Sequence, residues 1–325
     1  MKSHSEAVRE LSASIGPGRP VHRYSDYLKR RFGSKTYRVS VDAGFTCPVR
    51  EIGLPCTYCD VRGSRAPYLG NANSLHEQIK GGMSFLTQRY GADQFLLYFQ
   101  AFSNTHSSVP TLRRIYDTGL SCGQFVGLIV ATRPDCVDEP KAALLAEYRS
   151  RGLDVWVELG LQSADDATLR RIRRGHSVAE FGRASRLLKE FGILTAAHVI
   201  LGLPGEGERE AVRTAHYLSE LGVNGVKFHN LVITEGTELY REYREGRVSP
   251  PTTAEHQELL ISSLENSSPE LVVMRLTCDP PRDIPFVPEE QPDKASFYRD
   301  LIDEMNRRNT WQGRSLDNGL YHAVP

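Results

Sequence analysis

The chain has 325 residues, 40% hydrophobic and 25% charged, enough for one large α/β domain with extensions or two small domains. Forty basic residues balance forty acidic ones, so charge alone argues against a nucleic-acid binder, and no apolar run reaches the roughly 18 residues of a membrane span. Six unevenly spaced cysteines make no disulfide framework, and a polar N-terminus without the apolar core of a signal peptide points, with them, to a reducing cytoplasm.

Residues 1–22 read as a flexible tail: a weak helix, then Gly16-Pro-Gly-Arg-Pro20, which breaks regular structure. Residues 24–32 predict a short amphipathic helix. Its last turn carries Lys29, Arg30 and Arg31, which suit the helix dipole, and Gly33 stops it. From residue 36 a rhythm begins. Apolar runs at 37–41, 94–99, 125–131, 153–159, 193–200 and 223–231 alternate with helical patterns near 75–90, 109–120, 138–151, 165–190 and 207–220. That rhythm predicts right-handed βαβ units and a parallel sheet. With no Gly-x-Gly-x-x-Gly after the first strand, a partial (β/α)6 barrel of TIM type is expected over residues 23–235, with chemistry at the strands' C-terminal ends.

Directly after the first strand stands Cys47-Pro-Val-Arg-Glu-Ile-Gly-Leu-Pro-Cys56-Thr-Tyr-Cys59. Three thiolates hold a metal cluster and leave one position open, as a catalytic cluster needs. A zinc site or a redox dithiol are the alternatives, but Cys122, Cys136 and Cys278 are isolated and supply no second pair. The second strand ends in Gln100-Ala-Phe-Ser103-Asn104-Thr105-His106, more polar groups than a turn requires. After the third come Thr132-Arg-Pro-Asp135. Glu158 interrupts the apolar fourth strand, so a ligand or a basic side chain is expected beside it, with Gln162 just beyond. The arginines at 170, 171, 173 and 174 and His176 are expected on a helix, mostly as a solvated face. Gly202-Leu-Pro204-Gly205 permits a tight turn where backbone approaches a ligand. Lys227 and His229, two apart, share one face of the sixth strand.

Residues 236–325 read as a C-terminal α/β extension covering the barrel. Helical patterns lie at 240–246, 254–264 and 293–309, and a seventh strand at 271–276. A rigid connection carries Pro280, Pro281, Pro285, Pro288 and Pro292.

Together the cysteine loop, the strand count and the strand-end residues resemble the radical S-adenosylmethionine (SAM) superfamily, over roughly residues 24–313. The YhcC/YtqA-type group matches best, on Asp42-Ala-Gly-Phe-Thr-Cys-Pro, Cys56-Thr-Tyr-Cys, Tyr98-Phe-Gln-Ala-Phe-Ser-Asn-Thr, Glu158-Leu-Gly-Leu-Gln-Ser, Arg174-Gly-His and Gly202-Leu-Pro-Gly-Glu. More distantly, the barrel is similar to that of the elongator catalytic subunit, which modifies the tRNA wobble uridine. The resemblance implies that Cys47, Cys56 and Cys59 ligate a 4Fe-4S cluster whose fourth iron takes SAM. It implies SAM contacts at Tyr58, Gln100, Ser103, Asn104, Glu158, Gln162, Arg174, Gly202 and Pro204. The implied chemistry is reductive cleavage of SAM to a 5′-deoxyadenosyl radical, fed by a one-electron donor such as flavodoxin or ferredoxin. The implied substrate is tRNA, with a small metabolite as the alternative. A non-catalytic, metal-stabilised RNA-binding module is a further alternative, resting on the arginine-rich segment. The loop departs from the common Cys-x3-Cys-x2-Cys spacing, with eight residues between the first two cysteines.

Overall fold

The computed structural model describes residues 2–60, 74–279, 284–291 and 293–317. The apolar runs become β1 (Thr36–Val41), β2 (Gln94–Phe99), β3 (Gly127–Thr132), β4 (Asp154–Gln162), β5 (Leu194–Leu201) and β6 (Gly225–Asn230). Two short strands, β7 (Ile233–Thr234) and β9 (Phe286–Val287), pair antiparallel. Between them in sequence, β8 (Val272–Arg275) joins the main sheet. The sheet order is β1-β2-β3-β4-β5-β6-β8, and every neighbouring pair is parallel. Consecutive strands are therefore neighbours joined by right-handed helical crossovers, which put the helices on one face. With β1 and β8 unpaired to each other, the sheet is an open half-barrel with one extra strand from the C-terminal extension.

The helices before the crossovers are α1 (His4–Ser12), α2 (Tyr24–Phe32) and α3 (Pro48–Glu51). The crossovers are α4 (Leu75–Tyr90), α5 (Val109–Ser121), α6 (Glu139–Ser150), α7 (Asp166–Arg171), α8 (Val178–Glu190) and α9 (Glu208–Leu221). The C-terminal helices are α10 (Glu238–Arg244), α11 (Thr253–Glu265), α12 (Lys294–Arg307) and α13 (Arg314–Asp317). Their starts are written in the sequence. Ser74 with Glu77, and Ser177 with Glu180, form capping boxes on α4 and α8, and the Asp138 side chain accepts from the Lys141 N–H on α6. No helix among the described residues is long and apolar enough to cross a membrane.

Alternation along each strand divides the interior in two. Val39, Leu97, Val130, Val157, Ala197 and Phe228 face the crossover helices in the larger core. Leu96, Tyr98, Ile129, Trp156, Ala196 and Val272 face the concave side. Toward the strands' N-terminal end that concave side is filled by α1 and α2, through Ala7, Val8, Leu11, Tyr24, Tyr27 and Leu28. The rings of Tyr27 and His4 meet Trp156 edge-on at 5.8 and 5.6 Å. The segment expected as a tail thus contains a helix that packs into the molecule, because Ala7, Val8 and Leu11 fall on one helical face. The chain between α1 and α2 also covers an edge: the Val273 N–H on β8 donates to the His22 carbonyl at 2.8 Å.

The pattern at 165–190, expected as one helix, is two. Arg173 (φ 51) and Gly175 (φ 75) take left-handed backbone and turn the chain between α7 and α8. Pro280, Pro281, Pro292, Met1 and residues 318–325 lie outside the described residues.

Candidate active site at the C-terminal ends of the strands

β1 leads straight into the cysteine loop. The Asp42 side chain accepts from the Gly44 N–H at 2.9 Å, and Gln78 of α4 exchanges two hydrogen bonds with the Asp42 backbone, at 2.8 and 3.0 Å. Cys47 is the N-cap of α3, with Pro48 in the first turn, where its missing N–H costs nothing. The eight residues between Cys47 and Cys56 are thus taken up by one helical turn, and its tip exposes Ile52 (69%) and Leu54 (53%). The Cys59 N–H then donates to the Cys56 carbonyl at 2.9 Å. Between them Thr57 is strapped on both sides: its N–H donates to the Ile172 carbonyl at 3.0 Å, and its carbonyl accepts from the Leu239 N–H at 2.9 Å.

Cys47, Val49 and Cys56 are buried together, with Tyr58 and Cys59 packed against them. Two guanidiniums reach the sulfurs. Arg50 Nη2 donates to Cys59 Sγ at 2.9 Å, and Arg174 Nη1 lies 3.7 Å from Cys56 Sγ. Burial pushes the Cys59 thiol up, and Arg50 opposes it. Among the described residues no three His, Cys, Asp or Glu side chains are grouped to hold a single metal ion. Cys278 is not part of this group. Its Sγ is 3.2 Å from Asn230 Oδ1, and burial pushes its thiol up to about 11, so it is protonated at neutral pH.

Arg174, expected on a helix and as a SAM contact, is buried in the turn after α7. Its Nη2 donates to the Gly160 carbonyl at 3.0 Å, and its own carbonyl accepts from Arg133 Nη1 at 2.8 Å. Arg133 is in turn held by Asp135 at 2.9 Å. His176 Nε2 shares the Gly160 carbonyl at 2.8 Å, and burial lowers its pKa to about 3, so it sits there neutral. A Cβ on Gly160 would meet Arg174 Nη2 at 2.2 Å and Gln162 Nε2 at 2.7 Å, so only glycine leaves those two groups where they are. Two other arginines of the segment are committed elsewhere: Arg171 pairs with Glu242 and Arg173 with Glu238.

After β2, Ala101 (φ 72) and Phe102 (φ 55) both take left-handed backbone, a cost of about 1–3 kcal/mol each that the surroundings impose. The clamp is visible. Asn104 Nδ2 donates to the Ala101 and Ala131 carbonyls at 2.9 Å, and the Ser103 N–H donates to Thr46 at 3.2 Å. Gln162 at the end of β4 is also left-handed (φ 75), beside the register shift at Gly160.

These groups line one end of an open cavity of about 2450 Å³, larger than the roughly 300–1,000 Å³ of an ordinary small-molecule site. Cys47, Cys56, Cys59, Tyr58, Gln100 and Ser103 line it, as do Glu158, Gln162 and Arg174. Asn104, Gly202 and Pro204 do not. Asn104 is fully buried and serves the turn, and a Cβ on Gly202 would meet the Pro251 ring at 2.1 Å.

Glu158 lies on the cavity floor, wholly buried, and the expected basic partner exists. Its carboxylate accepts from the Lys227 ammonium, Tyr98 Oη (2.5 Å), His198 Nε2 (2.9 Å) and Arg38 Nη1 (3.3 Å). Burial alone would raise its pKa; Lys227, His198 and Arg38 outweigh that and hold it well below the usual carboxylate range. Arg38 also stacks 4.2 Å over the Tyr24 ring. Arg38, Tyr98 and His198 were not singled out from sequence. The available signal was a polar residue recurring on the concave register of otherwise apolar strands.

The donor set suits an iron–sulfur cluster with one open iron: three cysteines in one apolar nest, with guanidinium donors at two sulfurs. Arg174 also lines this cavity, and its Nε is buried without a partner among the described residues.

Comparison with known proteins agrees. The radical SAM superfamily profile matches residues 44–218, and that of the Radical_SAM C-terminal domain residues 223–307. YhcC of Escherichia coli K12 is 36% identical over 260 residues, covering 79% of this chain and 83% of that protein. YtqA of Bacillus subtilis is 31% identical over 297 residues, covering 90% and 92%. A tRNA uridine(34) acetyltransferase of Dehalococcoides mccartyi is 30% identical over 128 residues, 38% of this chain and 27% of that protein. Among solved structures, the N-terminally deleted archaeal Elp3 of Methanocaldococcus infernus superposes with a TM-score of 0.63 at 21% identity. It covers 86% of this chain, which spans 64% of that one. The chain belongs to the radical SAM superfamily and is a radical SAM enzyme, of a family whose membership implies a 4Fe-4S cluster and SAM.

Proposed function

We propose that Cys47, Cys56 and Cys59 hold a 4Fe-4S cluster, that SAM binds between it and the Gly160–Gln162 end of β4, and that a substrate occupies the remaining cavity. When bound, these cofactors supply one-electron cleavage of the sulfonium to a 5′-deoxyadenosyl radical, given a donor such as flavodoxin or ferredoxin. The observation that carries the reading is the convergence of the three cysteines and the Arg174 guanidinium on one end of one cavity.

The chain's own groups then have distinct tasks. Arg50 and Arg174 offset the burial of thiolate charge at Cys59 and Cys56. The backbone turn at Ala101–Phe102 offers fixed polar groups to the SAM amino acid moiety, near Gln100 and Ser103. Arg174, Tyr58 and Gln162 line the same cavity; Arg174 would take the SAM carboxylate, and Tyr58 and Gln162 its nucleoside. Helices α1 and α2 close the far end of the half-barrel and keep water out from below.

The partial sequence match to tRNA uridine(34) acetyltransferases, and 26% identity over 224 residues to human Elongator complex protein 3, support tRNA as the substrate. A small metabolite is the second reading, favoured by a cavity closed below by an aromatic plug. The test is anaerobic incubation with SAM and dithionite, with tRNA from a deletion strain added. We expect 5′-deoxyadenosine, and a nucleoside changed relative to untreated tRNA in mass spectrometry. No 5′-deoxyadenosine defeats the enzyme assignment; 5′-deoxyadenosine with unchanged nucleosides defeats tRNA.

A further inference from the structure

Arg275 is a cation of the cavity wall without a partner among the described residues. Lys227 and Arg38 both spend their charge on Glu158. Arg275 stands beside Lys227 in the sheet register, at the end of edge strand β8, and lines the cavity. Among the described residues it has neither an ion pair nor a hydrogen bond. His229, also lining the cavity, packs its ring 5.3 Å from that of His198, and its Nε2 is buried without a hydrogen-bond partner. The two observations are independent, since one concerns a missing counter-charge and the other a missing hydrogen bond. The buried His229 nitrogen carries a desolvation cost, and the half-buried Arg275 guanidinium is open to pairing with a bound group.

The surrounding charge points the same way. Among the described residues the other carboxylates lining the cavity are Asp60, Asp93 and Asp279; Asp279 pairs with Lys294, and three donors besides Lys227 already occupy Glu158. Lysine and arginine outnumber aspartate and glutamate among the described residues lining the whole cavity. Burial first, and the Arg275 charge next, keep His229 neutral, so it offers a hydrogen bond rather than a second cation.

We infer that the cavity floor is a subsite for an anionic group of the substrate, a carboxylate or a phosphate, held by the Arg275 guanidinium with His229 beside it. A planar guanidinium suits either oxyanion through two parallel N–H donors. The subsite lies on β8 and β6, whereas the cysteine loop follows β1, so the two ligands enter one cavity from different strands. This inference rests on the reading of the cavity as a radical SAM substrate site, and it narrows the substrate class to compounds carrying such a group.

The experiment titrates inorganic phosphate and, separately, malonate into the full-length chain by calorimetry, with the reconstituted cluster and again without iron. Saturable binding of at least one is expected, weakened at least tenfold in Arg275→Gln. Arg275→Gln should keep its iron content and its spectral response to SAM. Tighter phosphate binding assigns a phosphorylated substrate, and tighter malonate binding a carboxylate. In the unaltered chain, the tighter anion should also shield Arg275 from phenylglyoxal, read by peptide mass spectrometry, which decides the matter if Arg275→Gln does not fold. No saturable binding, equal binding by Arg275→Gln, or unshielded labelling overturns the inference. Loss of the SAM response in Arg275→Gln overturns it too, by assigning Arg275 to SAM. Failure of the radical SAM reading itself would show separately, as no iron uptake by the unaltered chain.

Discussion

Glu158 and Lys227 form the most consequential contact at the scale of single residues. A carboxylate with no exposed surface is tolerable only with full compensation, and four donors supply it. Lys227→Met removes the ammonium but leaves Arg38 and His198, so the loss should fall at the low end for a broken buried pair, about 3 kcal/mol. Urea unfolding checks this, and a loss below about 1 kcal/mol would mean that Glu158 takes up a proton instead. From sequence, Glu158 announced itself because it is a charge in an apolar strand. Lys227 stood out too, but not as its partner, and Arg38, Tyr98 and His198 did not, because the four come from β1, β2, β5 and β6 and only the sheet brings them together. Gly202 and Pro204 illustrate the converse: a glycine-rich turn invites a ligand reading, yet here the space beside Gly202 holds the Pro251 ring.

Elements reproduced their sequence signals where the period was clean. Strands β1 to β6 were legible as apolar runs, and α4 and α9 as the helical patterns between them. What was missed was the boundary between α7 and α8. Gly175 follows arginines that continue a helical pattern, its left-handed φ of 75° makes the turn, and the capping box of Ser177 with Glu180 starts α8. That turn presses on the cysteine loop, since a Cβ on Gly175 would meet Val49 Cγ1 at 2.6 Å. Gly175→Ala would add about 1–2 kcal/mol of backbone strain and push α3, which Cys47 caps. After anaerobic reconstitution this variant should hold clearly less iron than the unaltered chain while keeping its helical circular dichroism; full iron content would uncouple the turn from the loop. Helix α1 was misjudged for a different reason: nine residues with three apolar positions look weak until the concave face they fill is known.

For the whole molecule, burial of neutral histidines sets an acid limit. Burial lowers His4, His22, His198 and His256 to about 4 and His176 to about 3. Their folded pKa values lie below the unfolded value of 6.5, so between about pH 6.5 and 4 the unfolded chain binds more protons. Stability is therefore lost as pH falls through that window, by up to about 1.4 kcal/mol per pH unit for each histidine. Glu206, raised to about 7 by burial, acts in the opposite sense, against these five and His229, which burial also lowers. The urea midpoint should drop markedly from pH 7.5 to 5.5, and an unchanged midpoint would contradict the neutral burial of these rings. The half-barrel architecture itself was legible from the alternation of runs. The extension's contribution of a seventh strand was foreseen as a strand but not as part of the same sheet, because a four-residue run carries no information about its neighbour.

The central claim is that three cysteines leave one iron open for SAM. Electron paramagnetic resonance of the anaerobically reconstituted, dithionite-reduced chain, recorded with and without SAM, addresses it directly. The account predicts a 4Fe-4S signal whose g-values shift on adding SAM, and no such signal in Cys47→Ala, Cys56→Ala or Cys59→Ala. A cluster signal that SAM leaves unchanged, or a chain that takes up zinc and no iron, would contradict it.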